Sequence, residues 1–454
     1  MIEDALERVL ALSRADACIV VASESSQANV RWANNTSTTN GVSRAAELFV
    51  ISIVGRRVGT AGATHFPDDR LESLVRRSEA ACEGQPEAED FMPLLEGAGE
   101  PPEWGAAVEA PGIDVFAGMA PALGQTFTRA AKDDVALFGY AEHVTSTRYL
   151  ASSTGLRRRH TQREGRLEVT AKTPDFAHSA WVGEASASFA DVDLPAHYDR
   201  LAQRLEWSAT SLELPAGRYE VVLEPGAVAD MLVAAYWSAT AREADEGRTV
   251  FSRPGGGNRI GDRICPPGLT LYSDPAEPGL EVTPFVLAAA SSSHGSVFDN
   301  GQETSRTDWV RDGVLEALVT TRYWAAKTGA PLTPYVDNLV LASEQGPDVD
   351  QMVNSTERAL LVTCFWYIRE VDPQTLLLTG LTRDGVFLVE DGQVKGAVNN
   401  FRYNMSPLDM LAQTVQVGRS GPTLPREYAD YFRLVKAPPL RVERFNMSSV
   451  SRAT

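Results

Sequence analysis

A chain of 454 residues, 43% hydrophobic and 22% charged, is too long for one ordinary core and too apolar to stay disordered, so it predicts two or three folded domains. Its formal net charge of −18 excludes the clustered cationic surface that nucleic-acid backbones require. Cys18, Cys82, Cys265 and Cys364 form no CxxC pair and fit inert thiols in a reducing cytoplasm. The acidic amphipathic start is unlike a secretory signal, and no window approaches the roughly 18 apolar residues of a membrane span.

Ile2, Leu6, Val9 and Leu10 recur at helical spacing, and a short apolar strand, 18–22, follows. Segments 30–35 and 48–54 read as further strands. A second helix opens at Pro67 with Asp68 and Asp69 in its first turn, carries Leu71, Leu74, Val75, Ser78 and Cys82 on one face, and ends by Gly84. Residues 84–112, rich in Glu, Gly and Pro, predict a surface loop, and a further helix is expected over 123–138. The run Arg157-Arg158-Arg159-His160, followed by Arg163 and Arg166, reads as a solvated turn between strands. Leu167, Val169 and Ala171 alternate with polar residues as in a half-buried strand, and Tyr198, Leu201 and Leu205 mark a helix. A boundary near 210–218 divides the chain into domains 1–214 and 215–454. In the second, Asp312-Gly313 and Asp391-Gly392 sit between apolar runs and predict two-residue hairpin turns, while 360–371 and 376–379 read as buried strands. No internal repeat is present.

Chemistry is harder to find. His65, His143, His160, His178, His197 and His294 include no pair at the spacing of successive helical turns, so no helical zinc pair exists; ligands converging from afar, such as Cys265 with His294, are the remaining route to a metal. Ser291-Ser292-Ser293-His294-Gly295-Ser296 does not fit the GxSxG of serine hydrolases, and Gly255-Gly256-Gly257 lacks the Lys-Ser/Thr of a phosphate loop. The residues alone describe an α+β protein without a visible catalytic constellation.

Several stretches nevertheless resemble the TldD/PmbA family. They are Thr375 to Gly392 with its continuation Gly396 to Asn404, the acidic loop Ser296-Val297-Phe298-Asp299-Asn300-Gly301, the ending Leu440 to Ser449 and, more weakly, Val30 to Asn34. The resemblance implies a two-domain α+β fold, a mixed N-terminal α/β domain followed by a C-terminal domain rich in curved antiparallel sheet. Catalytic TldD-type members carry HExxxH on the helix after a Val-Val-Leu strand. The matching strand here is Val221-Val222-Leu223, which aligns the motif with Val233-Ala234-Ala235-Tyr236-Trp237-Ser238; Thr249-Val250-Phe251-Ser252 downstream supports the register. Both His positions are empty and Ala234 replaces the Glu, so no catalytic and no metal residue carries over.

This pattern looks like the TldE/PmbA branch. It implies no cofactor in this chain, zinc on a TldD-type HExxxH partner in a heterodimer, and an extended peptide as substrate. Tyr236 and Trp237 then either line the equivalent cavity or fill it as core, and Val435 to Val450 is the expected interface segment. Two other readings stay open: a self-sufficient amide or peptide hydrolase of a maturation pathway, and a homo-oligomeric binding or scaffold protein.

Overall fold

The computed structural model describes residues 2–97, 99–190 and 192–451. Helix α1 (Ile2–Leu12) leads into β1 (Ala17–Ala33), β2 (Thr36–Val54) and β3 (Arg57–Ala63). Helices α2 (Asp68–Ala80) and α3 (Ala120–Lys132) precede β4 (Ala136–Ser152), β5 (Arg157–Lys172), β6 (Ser179–Ala185) and α4 (Leu194–Ser208). The strands form one antiparallel sheet, β3-β2-β1-β4-β5-β6. Their alternation separates the two faces. Cys18, Val20 and Ala22 meet Leu6 and Val9 of α1 and Leu71, Leu74 and Val75 of α2. Further along, Ala28, Leu167 and Val169 meet Leu123 of α3 and Tyr198 and Leu201 of α4. All four helices therefore cover one face. On the opposite face Ile19, Ile51, Ile53 and Leu150 meet Phe285, Val297 and Phe298 from the second half of the chain.

Three expectations need correction here. The third helix is α3, which starts at Ala120 with Pro121 in its first turn and stops at Lys132; Asp134, at φ +54°, reverses the chain before β4. The arginine run is no turn: it opens β5, and alternation sends its side chains to opposite faces. Arg157 pairs with Glu7, Arg158 with Glu303, and buried Arg159 donates to the Glu103 and Ala106 carbonyls. Those carbonyls belong to segment 84–112, an irregular and largely exposed loop as expected, pinned where Trp104 is buried edge-on against Tyr149 and where Phe91 packs on Phe298. A guanidinium can satisfy loop carbonyls that would otherwise need water.

The second half supplies β7 (Ser211–Leu212), β8 (Gly217–Leu223), α5 (Pro225–Trp237), α6 (Ala241–Asp245), β9 (Thr270–Ser273), β10 (Thr307–Arg311), β11 (Val314–Leu315), α7 (Arg322–Thr328), β12 (Leu339–Ala342) and α8 (Val349–Asn354). Then come β13 (Arg358–Val362), β14 (Trp366–Asp372), β15 (Leu377–Leu381), β16 (Val386–Glu390), β17 (Gln393–Val398), β18 (Phe401–Met405), α9 (Pro407–Ala412), β19 (Thr414–Val417), β20 (Gly421–Thr423), β21 (Val435–Ala437), β22 (Leu440–Met447) and β23 (Ser449–Val450). Three mostly antiparallel sheets result: β11-β10-β9-β12-β21-β20, β19-β22-β8-β13-β16-β17-β7 and β14-β15-β18-β23.

Both Asp-Gly pairs turn as their chemistry requires. Asp312 and Gly313 have φ of +47° and +79°, Asp391 and Gly392 +53° and +73°, and they join Arg311 to Val314 and Glu390 to Gln393. The third correction concerns 360–371, which is two strands in different sheets; β13 is buried, whereas β14 lies at a sheet edge and is largely exposed. The segment Val435 to Val450 is mostly interior too. β22 is paired on both sides, and Val435, Leu440, Val442, Phe445 and Met447 are fully buried, so their apolar character serves the core.

Candidate functional site

Helix α5 runs through the centre of the largest core cluster. Its sequence, PGAVADMLVAAYW, is small and apolar on every side, as a helix surrounded by protein must be. Pro225 occupies the first turn, where its missing N–H costs nothing. Both carboxylate oxygens of the preceding Glu224 accept from a single Arg204 nitrogen, Nη2, at 2.5 and 2.7 Å, tying α5 to α4. One polar side chain remains inside the helix. Asp230 Oδ1 accepts from the backbone N–H of Glu427 at 2.9 Å and of Tyr428 at 3.3 Å, while Oδ2 has no protein partner. Complete burial raises the Asp230 carboxyl well above its ordinary value, against the two backbone N–H groups that favour its charge.

The aligned motif positions diverge in their surroundings. Val233 and Tyr236 point into the core. Tyr236 is stacked on Tyr335 at 4.9 Å, and its hydroxyl donates to the Val336 carbonyl and accepts from the Val336 N–H, both at 3.0 Å. Ala234, Trp237 and Ser238 instead line an open cleft of about 470 Å³, together with Glu243, Arg248, Thr249, Glu370, Pro373, Leu376, Leu378 and Tyr428. Tyr236 is therefore core and Trp237 is cavity wall.

A second, larger cavity of about 690 Å³ lies on the other side of this wall, between the sheet of β1, β2 and β4 and residues 283–295. Its floor is the polar stretch of the sheet face, with Ser23, Glu47 and Arg148 side by side, and Tyr335, Asp337 and His294 close it from the second half. Asp337 is open to the cavity but hemmed in by protein, which raises its carboxyl above the usual range; Arg148, at 3.8 Å, offsets part of this. Trp237 separates the two spaces. Its indole Nε1 donates to Tyr335 Oη at 3.3 Å, and its carbonyl accepts from His294 Nε2 at 2.8 Å. His294 is thus tied to the helix end, while Cys265 is buried beside the β10–β11 hairpin, its N–H directed to Gly313.

Residues 216–449 match the family model described as the PmbA/TldA metallopeptidase C-terminal domain. The chain belongs to the PmbA/TldD family. No curated protein matches it in sequence. Among solved structures it is similar to TldE from Thermococcus kodakarensis, at TM-score 0.76 and 15% identity over 98% of this chain and 99% of that one. It is similar also to a proposed modulator of a DNA gyrase from Thermotoga maritima, at 0.76 and 17% over 98% and 100%, and to another from Bacteroides thetaiotaomicron, at 0.74 and 16% over 99% and 98%. At such identities the likeness establishes the fold.

A metallopeptidase description implies a metal, and the donors at α5 do not fit one. Val233 and Ala234 offer no lone pair and Ser238 only a neutral hydroxyl, a poor zinc ligand. Among the described residues no three His, Cys, Asp or Glu side chains converge as a metal would need.

The sequence reading passed over Asp230, Glu243, Glu370 and Tyr428. Only Asp230 had a local signal, as the lone carboxylate inside an apolar helix. The other three reach the cleft from separate elements.

Proposed function

We propose that this PmbA/TldD family member is the non-catalytic, TldE/PmbA-type subunit of a heterodimer. Its TldD-type partner carries zinc on an HExxxH helix, and the pair processes or degrades extended peptides in the cytoplasm. The observation that carries the reading is the donor set of α5, where Val233 and Ser238 stand at the metal positions, Ala234 at the general-base position, and Tyr236 fills the space behind them. The overall likeness to a protein named TldE supports it. No described helix is long and apolar enough to cross a membrane, which is compatible with that setting. In this role the chain encloses the substrate and stabilises the active subunit, and main-chain pairing holds the peptide without reading its side chains.

The test is co-purification with an HExxxH-bearing sibling, with metal analysis of each chain. The expected result is a mixed complex with zinc on the sibling alone and peptide cleavage only when both chains are present. Stoichiometric zinc in the isolated chain would replace this reading with that of a self-sufficient hydrolase. Failure to form the mixed complex would replace it with a self-associating scaffold.

A further inference from the structure

We propose that the cleft at the end of α5 recognises an organic ammonium ion, the side chain of a lysine or the free amino terminus of a bound peptide. The peptide-handling reading above supplies only the identity of the carrier; the recognition chemistry comes from the cleft itself. Its floor is apolar, built from Ala234, Leu376 and Leu378 with Pro373 at the edge. One wall is aromatic: Trp237 and Tyr428 are half-buried and meet edge to face, with ring centroids 4.8 Å apart and planes at 70°. Glu243, Glu370, Arg248, Ser238 and Thr249 complete the lining, two carboxylates against one guanidinium. Glu243 accepts from the Thr240 hydroxyl at 2.9 Å, and the nearest guanidinium, that of Arg248, stands 3.9 Å away because it is engaged by Glu246 at 2.6 Å. Glu370, on the exposed edge strand β14, makes no ion pair among the described residues. Partial burial first, and then the neighbouring Asp372 and Glu243, raise its carboxyl from its ordinary value.

Indole and phenol faces attract cations, alkyl walls accept methylenes, and paired carboxylates accept the N–H donors of an ammonium head. A neutral apolar side chain would desolvate the carboxylates without compensation, and an anion would be repelled. A divalent metal ion requires more convergent ligands than the cleft contains. The occupant these features select is a cation on an alkyl stem.

Isothermal titration of the isolated full-length chain at low salt tests this with four short peptides of otherwise identical sequence. One carries a single lysine with both ends capped, one carries norleucine instead, one carries acetyl-lysine, and one has a free amino terminus but no lysine. The lysine or the free-amine peptide is expected to bind at least tenfold more tightly than the norleucine and acetyl-lysine peptides, and whichever of the two binds identifies the source of the cation. The double variant Glu243→Gln/Glu370→Gln loses that preference, Trp237→Leu weakens it, and Glu370→Asp retains most of it; unchanged circular dichroism shows that each variant is folded. Equal binding of lysine and norleucine peptides, no saturable binding of either cation, or full preference in the double variant would overturn the proposal. Because no partner is present, a chain that fails to assemble with a TldD-type sibling still gives a decisive result for the cleft.

Discussion

Replacing Tyr236 by phenylalanine removes one oxygen from the middle of the C-terminal core and nothing else. That oxygen holds both main-chain polar groups of Val336, its N–H and its carbonyl, at 3.0 Å, in a residue that is itself 2% exposed. Both residues are buried, so the variant leaves a donor and an acceptor unpaired, which costs about 1–3 kcal/mol beyond any change in packing. The ring contacts to Tyr335 at 4.9 Å, Trp309 at 5.2 Å and Phe432 at 6.0 Å remain. Tyr236→Ala additionally opens a cavity and costs a further 3–5 kcal/mol or so. Urea unfolding and calorimetry measure both, with the C-terminal transition followed separately if the two halves unfold in steps. The cleft faces away from Tyr236, so the binding preference of the phenylalanine variant stays as in the parent. A phenylalanine variant as stable as the parent would refute the assignment of Tyr236 as a core hydrogen-bonding residue, and a large change in cleft binding would refute its separation from the cleft.

Asp299, in the short helical turn between β9 and β10, is buried and its carboxyl is raised to about 6 despite the Arg322 N–H it accepts. A raised folded-state pKa favours the protonated native form, so this contribution is complete below the ordinary carboxylate range and lost as pH rises through about 6. Asp299→Asn should match the parent near pH 4 and exceed it at pH 7 by up to about 3 kcal/mol in urea titrations; equal slopes with pH would count against it. Arg204→Met strands the Glu224 carboxylate and should cost about 3–5 kcal/mol by chemical denaturation, and adding Glu224→Gln should recover part of that loss. Gly59→Ala places a methyl 2.2 Å from the Ser78 carbonyl oxygen and 2.6 Å from the Cys82 N–H nitrogen, so β3 and α2 must separate; a loss of about 1–3 kcal/mol is expected in the N-terminal transition.

The elements legible in the sequence are those whose cause is local. The two Asp-Gly turns, the helix entered at Pro67 and the alternation of Leu167, Val169 and Ala171 each follow from the conformational preferences of a few neighbouring residues, and each is found. The misread arginine run and the pinning of the loop depend on distant partners. Arg157 to Arg159 become strand because Glu7, Glu303 and two loop carbonyls lie in wait for them, and Trp104 is buried because Tyr149 stands opposite. The cleft is of the same kind. Ala234 and Trp237 come from α5, Glu243 from α6, Glu370 from β14, Leu378 from β15 and Tyr428 from the segment before β21. No window of sequence contains it.

The fate of Asp230 connects the change in α5 to the shape of the cleft. A helix that carries metal ligands must keep a polar face accessible, whereas one lined by Val233 and Ala234 can be enclosed, and α5 is enclosed along nearly its whole length. A carboxyl on such a helix must be neutral or paired. Burial pushes the Asp230 carboxyl up, and Oδ1 uses its acceptor capacity on two successive backbone N–H groups, those of Glu427 and Tyr428. That latch fixes the segment in which Tyr428 meets Trp237, and Trp237 in turn is fixed by Tyr335 and His294 from the larger cavity. The same segment carries Asp430 and Arg433, which reach Arg166 at 2.7 Å and Glu142 at 3.0 Å on the N-terminal sheet. A single buried acid therefore orients one wall of the small cleft and anchors the strap that joins the two halves of the chain, so a disturbance at Asp230 reaches both the cleft and the inter-sheet contact through covalent neighbours.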